Sequence, residues 1–188
     1  MQQDKTEEAL TKVKSALLGL KATGSTGFEG FLQAILSELT GIPFRLAASG
    51  LQGGVDGDAT FKEDAVCFEA KLYSGKIQRG EVLTKIADLA RKNMAADRLW
   101  VLGATTSIST QLANDIRDDG NQHAISTLIL DWSDKPLPLL AIAIVAAAGS
   151  SIEFLSKNAK NIELDVLREA FEHISSHSAF EPLLSKLK

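Results

Sequence analysis

Cysteine is nearly missing from this chain, with Cys67 alone among 188 residues. A single thiol forms no intramolecular disulfide and builds no cysteine-rich zinc site, which fits a reducing compartment, and the cytoplasm is the expected location. An excess of one charge is also lacking. Twenty basic against 24 acidic residues leave a formal net charge of -4, so there is no global basic field, and nucleic-acid binding would have to rest on a local cationic strip. No long hydrophobic run is present either. The longest, Leu137 to Ala148, begins among prolines and stops before Gly149, well short of the ~20 apolar residues a membrane span needs. It reads better as a buried helix or a subunit contact, and no membrane partner is expected. The opening residues Asp4, Lys5, Glu7 and Glu8 form no basic-then-apolar leader, so secretion is not expected. Internal repeats, low-complexity tracts and linkers are absent as well.

What is present suffices for a core, since 45% of the residues are hydrophobic and the length suits one domain. Leu10, Val13, Leu17 and Leu20 recur at helical spacing from Asp4 to Lys21, with Gly24 after them. A second helix is expected from Ser25 and Thr26, with Phe28, Phe31, Leu32, Ile35, Leu36 and Leu39 as its apolar stripe, stopped by Gly41 and Pro43. Pro43 to Ala48 and Val55 to Phe61 read as strands around a glycine-rich turn over Ser49 to Gly54, and Lys62 to Asp64 read as the next turn.

Val66 to Tyr73 alternates as a third strand. Val66, Phe68, Ala70 and Leu72 share one face, and Cys67, Glu69, Lys71 and Tyr73 share the other. A helix over Glu81 to Met94 with Val82, Ile86, Leu89 and Ala90 inward, a buried strand over Leu99 to Leu102, a helix over Ser109 to Arg117 and a strand over Ala124 to Trp132 follow. The remainder, apart from a loop at Asn158 to Asn161, is helical. Strands alternating with helices predict an α/β chain with a mixed sheet and helices on both faces.

The chemistry-bearing residues converge on that third strand. Glu69 and Lys71 are two apart and point the same way, and Asp56, near the start of the neighbouring strand, faces them across the hairpin. Asp58 lies on the Asp56 face and is the alternative first acid. Two carboxylates beside an ammonium suit phosphodiester hydrolysis, because Mg²⁺ takes oxygen ligands from only one or two carboxylates and keeps water. In that mechanism Asp56 and Glu69 hold the metal, the metal lowers the pKa of bound water, and Lys71 orients that water or offsets charge on the phosphorane. Downstream, Lys76, Arg79, Lys85, Arg91 and Lys92 would be useful phosphate contacts.

Gly53-Gly54-Val55-Asp56 followed by Phe68-Glu69-Ala70-Lys71-Leu72-Tyr73 resembles the paired motifs of PD-(D/E)xK nucleases, closest to Mrr-like restriction endonucleases. The resemblance covers roughly Gly27 to Trp132 and includes Glu29, a helical glutamate in Gly27-Phe28-Glu29-Gly30. It implies a restriction-endonuclease-like core of mixed β-sheet flanked by helices, with additional N- and C-terminal helices. It also implies Mg²⁺-dependent cleavage of DNA, with Mn²⁺ as a substitute, and an association with restriction or antiviral defence. On this reading residues 1–188 form a single nuclease domain, with a core over about 25–133 and a C-terminal helical extension over 134–188. Double-stranded DNA is the expected partner, and a homo-oligomer is expected. The chain is also readable as the N-terminal effector part of a larger protein, fused to or assembled with a sensor or an NTPase module. The alternative is a catalytically inactive nuclease-fold module for DNA binding or assembly.

Blander explanations compete at several positions. Glu29, three residues after Thr26, fits a capping box as well as a site facing the metal. Asp56-Gly57-Asp58-Ala59-Thr60 imitates a calcium loop, but Phe61 and Cys67 stand where glycine and glutamate are required. His173 and His177 lie one helical turn apart with no third zinc ligand, which fits a solvated helix face. Glu81 and Asp88 among the downstream cations make that helix readable as a plain amphipathic one.

Overall fold

The computed structural model describes residues 2–46, 55–61, 64–73, 75–91, 98–133, 136–160 and 162–187. The turn expected over Ser49 to Gly54, Lys62 and Glu63, and the stretch from Lys92 to Met94 lie outside the described residues.

Among the described residues, eight helices and five strands follow in chain order: α1 (Gln2–Leu18), α2 (Phe28–Thr40), β1 (Arg45–Leu46), β2 (Gly57–Phe61), β3 (Asp64–Lys71), α3 (Arg79–Arg91), β4 (Arg98–Ala104), α4 (Thr110–Gln122), β5 (Ile125–Leu130), α5 (Leu139–Ala146), α6 (Ala148–Asn158), α7 (Leu164–Ser175) and α8 (Phe180–Leu184). The strands form one mixed sheet in the order β1-β2-β3-β4-β5. β1, β2 and β3 are antiparallel neighbours, whereas β3, β4 and β5 run parallel. The parallel steps need crossovers, which α3 and α4 supply. Both steps move the same way along the sheet, and such connections are right-handed, so both helices fall on one face.

The two faces carry separate apolar clusters. Phe68, Ala70, Val101 and Leu130 join α1, α2, α5, α7 and α8 on one side, while Cys67, Trp100, Leu102 and Ile125 join Val82, Ile86 and Leu89 of α3 and Leu112 and Ile116 of α4 on the other. The alternation expected along β3 is therefore realised with both faces covered. α5 is apolar all round and buried from Leu140 to Val145. It is a core helix, as the run from Leu137 to Ala148 implied. No single helix among the described residues is long and apolar enough to cross a membrane. α5 and α6 pass on length and composition only as a pair, bent by 95°.

The C-terminal helices are not an appendage. α7 lies against α1, and Leu167, Phe171 and Ile174 share the larger cluster with Val13 and Leu17. The two chain ends thus complete the core from one side, and burial of each such side chain contributes roughly 1.5–3 kcal/mol.

Local details depart from the sequence reading at the helix ends. α1 stops at Leu18, and Gly24 sits in the following loop with φ 84. α2 begins at Phe28 with Gly27 as its N-cap and no side-chain cap bond. The expected Thr26–Glu29 capping box is therefore not formed, because the cap lies one residue too late to put Glu29 at the third helical position. At the other end of α2, Gly41 takes the left-handed conformation with φ 68 and its N–H donates to the Ser37 carbonyl, the usual glycine stop.

Candidate active site

The site lies where β2 begins and β3 ends. The hairpin is antiparallel and pairs Gly57 with Phe68, so the residue before Gly57 is carried to the height of Glu69. The Asp56 N–H donates to the Phe68 carbonyl at 2.9 Å, and the Ala70 N–H donates to Asp56 Oδ2 at 2.7 Å. The Asp56 carboxylate is thus locked onto β3 by both its backbone and its side chain. Gly57 permits this closeness. A Cβ there would stand 2.3 Å from the Phe68 ring and 2.8 Å from the Arg45 carbonyl oxygen.

Glu69 and Lys71 point from the same face of β3 toward α3. Glu69 is 1% exposed, and its Oε1 lies 2.8 Å from Lys71 Nζ and 3.6 Å from Lys85 Nζ. Glu69 Oε2 is buried with no hydrogen-bond partner. Lys71 Nζ also donates to Glu81 Oε1 at 2.8 Å, and the Tyr73 hydroxyl donates to the same oxygen at 2.8 Å. Thr105 fixes the backbone here. Its N–H donates to the Lys71 carbonyl at 3.1 Å, and its hydroxyl accepts from the Tyr73 N–H at 3.0 Å, clamping the end of β3 to the turn after β4.

Electrostatics sort these groups. Burial pushes the Asp56 carboxyl above the usual range, against the opposing pull of the Ala70 N–H and the two lysines. Glu69 is pushed up by burial first and by the Asp56 charge second, with Lys71 and Lys85 working the other way. Glu81 moves down instead, held by its hydrogen bonds from Lys71 and Tyr73. For Lys71, burial disfavours the ammonium, but the bonds to Glu69 and Glu81 outweigh it and its pKa rises. Carboxyls pushed up by burial beside a fixed ammonium make this cluster a functional-site candidate.

The residues expected from sequence come together unevenly. Asp56, Glu69 and Lys71 form one cluster. Glu29 stands at its margin: its carboxylate accepts from the Gly24 N–H at 2.7 Å and also feels the charges of Asp56, Lys71 and Lys85, while burial raises its pKa. It braces the loop before α2 and borders the site at once. Asp58 is exposed and stands opposite Cys67, two pairs further from Lys71, so Asp56 is the acid that the fold brings to Glu69.

Of the cations expected to meet phosphate, Lys85 turns into the site against Glu69. Arg79 pairs with Asp115 at 2.6 Å, Arg91 pairs with Asp88 at 3.0 Å, and Lys76 is exposed. Glu81 and Tyr73 were not read as site residues. The signal for Glu81 was its place four residues before Lys85 on one helix face, which aims both at the same strand.

His173 and His177 go separate ways, the first 3.6 Å from Glu169 and the second accepting from the Ala179 N–H at 3.1 Å. Cys67 is a buried thiol in the α3 and α4 cluster.

The donor set fits a hard divalent cation. Asp56 and Glu69 supply the oxygens, and with Glu81 and Glu29 nearby the four carboxylates against two ammonium groups (Lys71 and Lys85) leave a formal charge of -2 in a partly buried cluster. The orphaned Glu69 Oε2 is the oxygen that a cation would satisfy. No group of three or more His, Cys, Asp or Glu side chains is arranged as a metal site among the described residues. Mg²⁺ does not require one, since it keeps several waters and takes one or two carboxylates. Comparison of the chain with protein-family models, with curated proteins and with solved structures finds no match.

Proposed function

We propose that the protein is a metal-dependent endonuclease of the PD-(D/E)xK type that hydrolyses DNA phosphodiester bonds, with Asp56, Glu69 and Lys71 as its catalytic residues. One observation supports this above the rest: a buried carboxylate with an unpartnered oxygen, Glu69 Oε2, lies between a second carboxylate anchored to the same strand and an ammonium at 2.8 Å. A mixed sheet between two helical layers agrees with the restriction-endonuclease-like core that the sequence resemblance implies.

Asp56 and Glu69 are the residues that would hold Mg²⁺ or Mn²⁺. Bound there, the ion supplies a Lewis acid for the phosphate and a water of lowered pKa. The chain's own groups do the rest. Lys71, charged and fixed, donates to oxygen as negative charge builds on the phosphate or steadies the attacking water. Lys85, half-buried and less tightly held, offers a second cation to the phosphate backbone. Glu29, at the margin of the site, orients groups around the first acid.

A second reading draws on one specific observation. Glu69 Oε1 already faces two ammonium groups, an arrangement that can also stand as a neutralised structural cluster in a module that binds DNA without cutting it.

Incubation of supercoiled plasmid with the protein in Mg²⁺, Mn²⁺ or EDTA, beside Glu69→Ala and Lys71→Ala variants confirmed folded by circular dichroism, separates the two. Metal-dependent nicking or linearisation that disappears in both variants is the expected result. Cleavage by Lys71→Ala at the wild-type rate would sink the assignment, and retention of DNA without cleavage in any metal would favour the binding module.

A further inference from the structure

Glu69 has two claims on it in the nuclease reading. It must present an oxygen to the cation, and its other oxygen holds Lys71 at 2.8 Å. A carboxylate drawn toward a divalent ion loosens its hold on an ammonium, so Lys71 needs a second anchor that the cation does not recruit. Glu81 meets that need. It belongs to the first turn of α3, a different element from β3, and is 37% exposed at the side chain where Glu69 is 1% exposed. Its Oε1 lies 2.8 Å from Lys71 Nζ on one side and 2.8 Å from the Tyr73 hydroxyl on the other. Tyr73 is two residues beyond Lys71, and its backbone is pinned by Thr105. The three side chains make a closed loop from strand to helix and back to strand.

We propose that Glu81, oriented by Tyr73, is the positioning residue that holds the Lys71 ammonium in the site independently of Glu69. Its catalytic consequence rests on the nuclease reading, while the holding itself does not. An acid in the first helical turn is also favoured by the helix dipole, and that alone would give Glu81 no effect on Lys71.

The test compares Glu81→Ala, Glu81→Gln and Tyr73→Phe with the wild type in two ways. In plasmid cleavage with Mg²⁺, Glu81→Ala is expected to lower kcat by about 100-fold, the scale of a misplaced catalytic group, with KM for DNA within about threefold. Glu81→Gln keeps an oxygen to accept from both Lys71 and Tyr73, and is expected to recover most of the loss. Tyr73→Phe, which removes one donor and leaves Lys71 bonded, is expected to fall between them and carries the test with Glu81→Gln if Glu81→Ala fails to fold. In ¹⁵N NMR at low temperature without metal, in a Glu69→Ala background where Glu69 no longer holds the ammonium, the slowly exchanging Lys71 signal, assigned by its loss in Lys71→Arg, is expected to persist with Glu81 or Glu81→Gln and to broaden away with Glu81→Ala.

Wild-type kcat in Glu81→Ala, a loss confined to KM, or no rescue by Gln would overturn the proposal. If the wild type cuts no DNA, the nuclease reading falls and NMR decides the holding. An unchanged Lys71 signal on adding Glu81→Ala to the Glu69→Ala background then overturns it, and a lost signal supports it.

Discussion

The two faces of the sheet are built on opposite terms. Toward α1, α2 and α5 to α8, the sheet residues Ala59, Phe68, Ala70, Val101 and Leu130 belong to one apolar cluster that extends from Ala9 to Phe180. Toward α3 and α4 it is equally dry over Cys67, Trp100 and Ile125, but at the end of β3 the same face turns to Glu69 and Lys71, both buried. One strand thus packs as a plain core element for most of its length and then buries charge within two residues. Burial of charge works against stability unless each group is paired and hydrogen-bonded, and here one oxygen of Glu69 is left unpartnered. The closed face is what packing alone would select, and the open end of the other face is what a reaction would demand.

Changes at the polar end should leave the closed face standing. The largest expected effect is on cleavage: Lys71→Ala should lose about 10²- to 10⁴-fold in kcat, the usual range for a positioned proton-handling or charge-stabilising group, while circular dichroism stays native. Cleavage and fold lost together would place Lys71 with the structural residues and erase the contrast.

Next comes the closed face itself. Phe31 is fully buried and packs edge-on against Phe154 with centroids 5.6 Å apart, so Phe31→Ala should lower unfolding free energy by about 3–5 kcal/mol in urea titrations. Any activity that survives should keep its KM. A smaller loss than this would mean that the large cluster is loosely packed.

Metal sharpens the comparison from the other side. Mg²⁺ or Mn²⁺ at about 100 times its Kd should stabilise the protein by about 2.7 kcal/mol, read as a rise in Tm, and Glu69→Gln should abolish that rise. Stabilisation that survives in Glu69→Gln would move the cation elsewhere.

The smallest effect concerns pH without metal. Burial raises the Asp56 and Glu69 pKa values above their ordinary 3.8 and 4.5, so both acids bind protons more tightly in the folded chain than in the unfolded one. Their contribution to stability is present below the ordinary values and is lost as pH rises through the raised ones. Glu69→Gln removes the Glu69 part of that loss. Relative to wild type in EDTA, it should therefore gain stability between about pH 4 and pH 8, measured by urea unfolding at both ends. A difference that does not change with pH would show that Glu69 is not desolvated.

Much of this was legible in the sequence because it depends on period and spacing. The i, i+3 and i+4 recurrence of Phe28, Phe31, Leu32 and Ile35 marked α2, the two-residue alternation of Val66 to Lys71 marked β3, and an apolar run with no polar face marked α5 as internal. The pairing of Asp56 with Glu69 and Lys71 followed from a hairpin that puts residues before Gly57 opposite residues after Phe68.

Other features were out of reach because they depend on where separate elements meet. Glu81 looked like an ordinary surface acid until α3 was laid on β3. The capping box failed through a shift of one residue in the start of α2, a difference that Thr26 and Glu29 alone do not encode. Lys85 and Arg79 looked equivalent in sequence, yet one turns to Glu69 and the other to Asp115.

By itself, the sequence determined the α/β class, the order of the elements and the set of three residues on which the proposed chemistry rests, since these follow from local periodicity and from strand pleating. Tertiary structure alone decided that the two chain ends pack together as α1 and α7, and that Lys71 is held between two carboxylates from different elements. The reason is physical. Periodicity states which side chains share a face, but only the docking of one element on another sets which faces meet, which oxygen is left without a partner and how strongly burial shifts its charge.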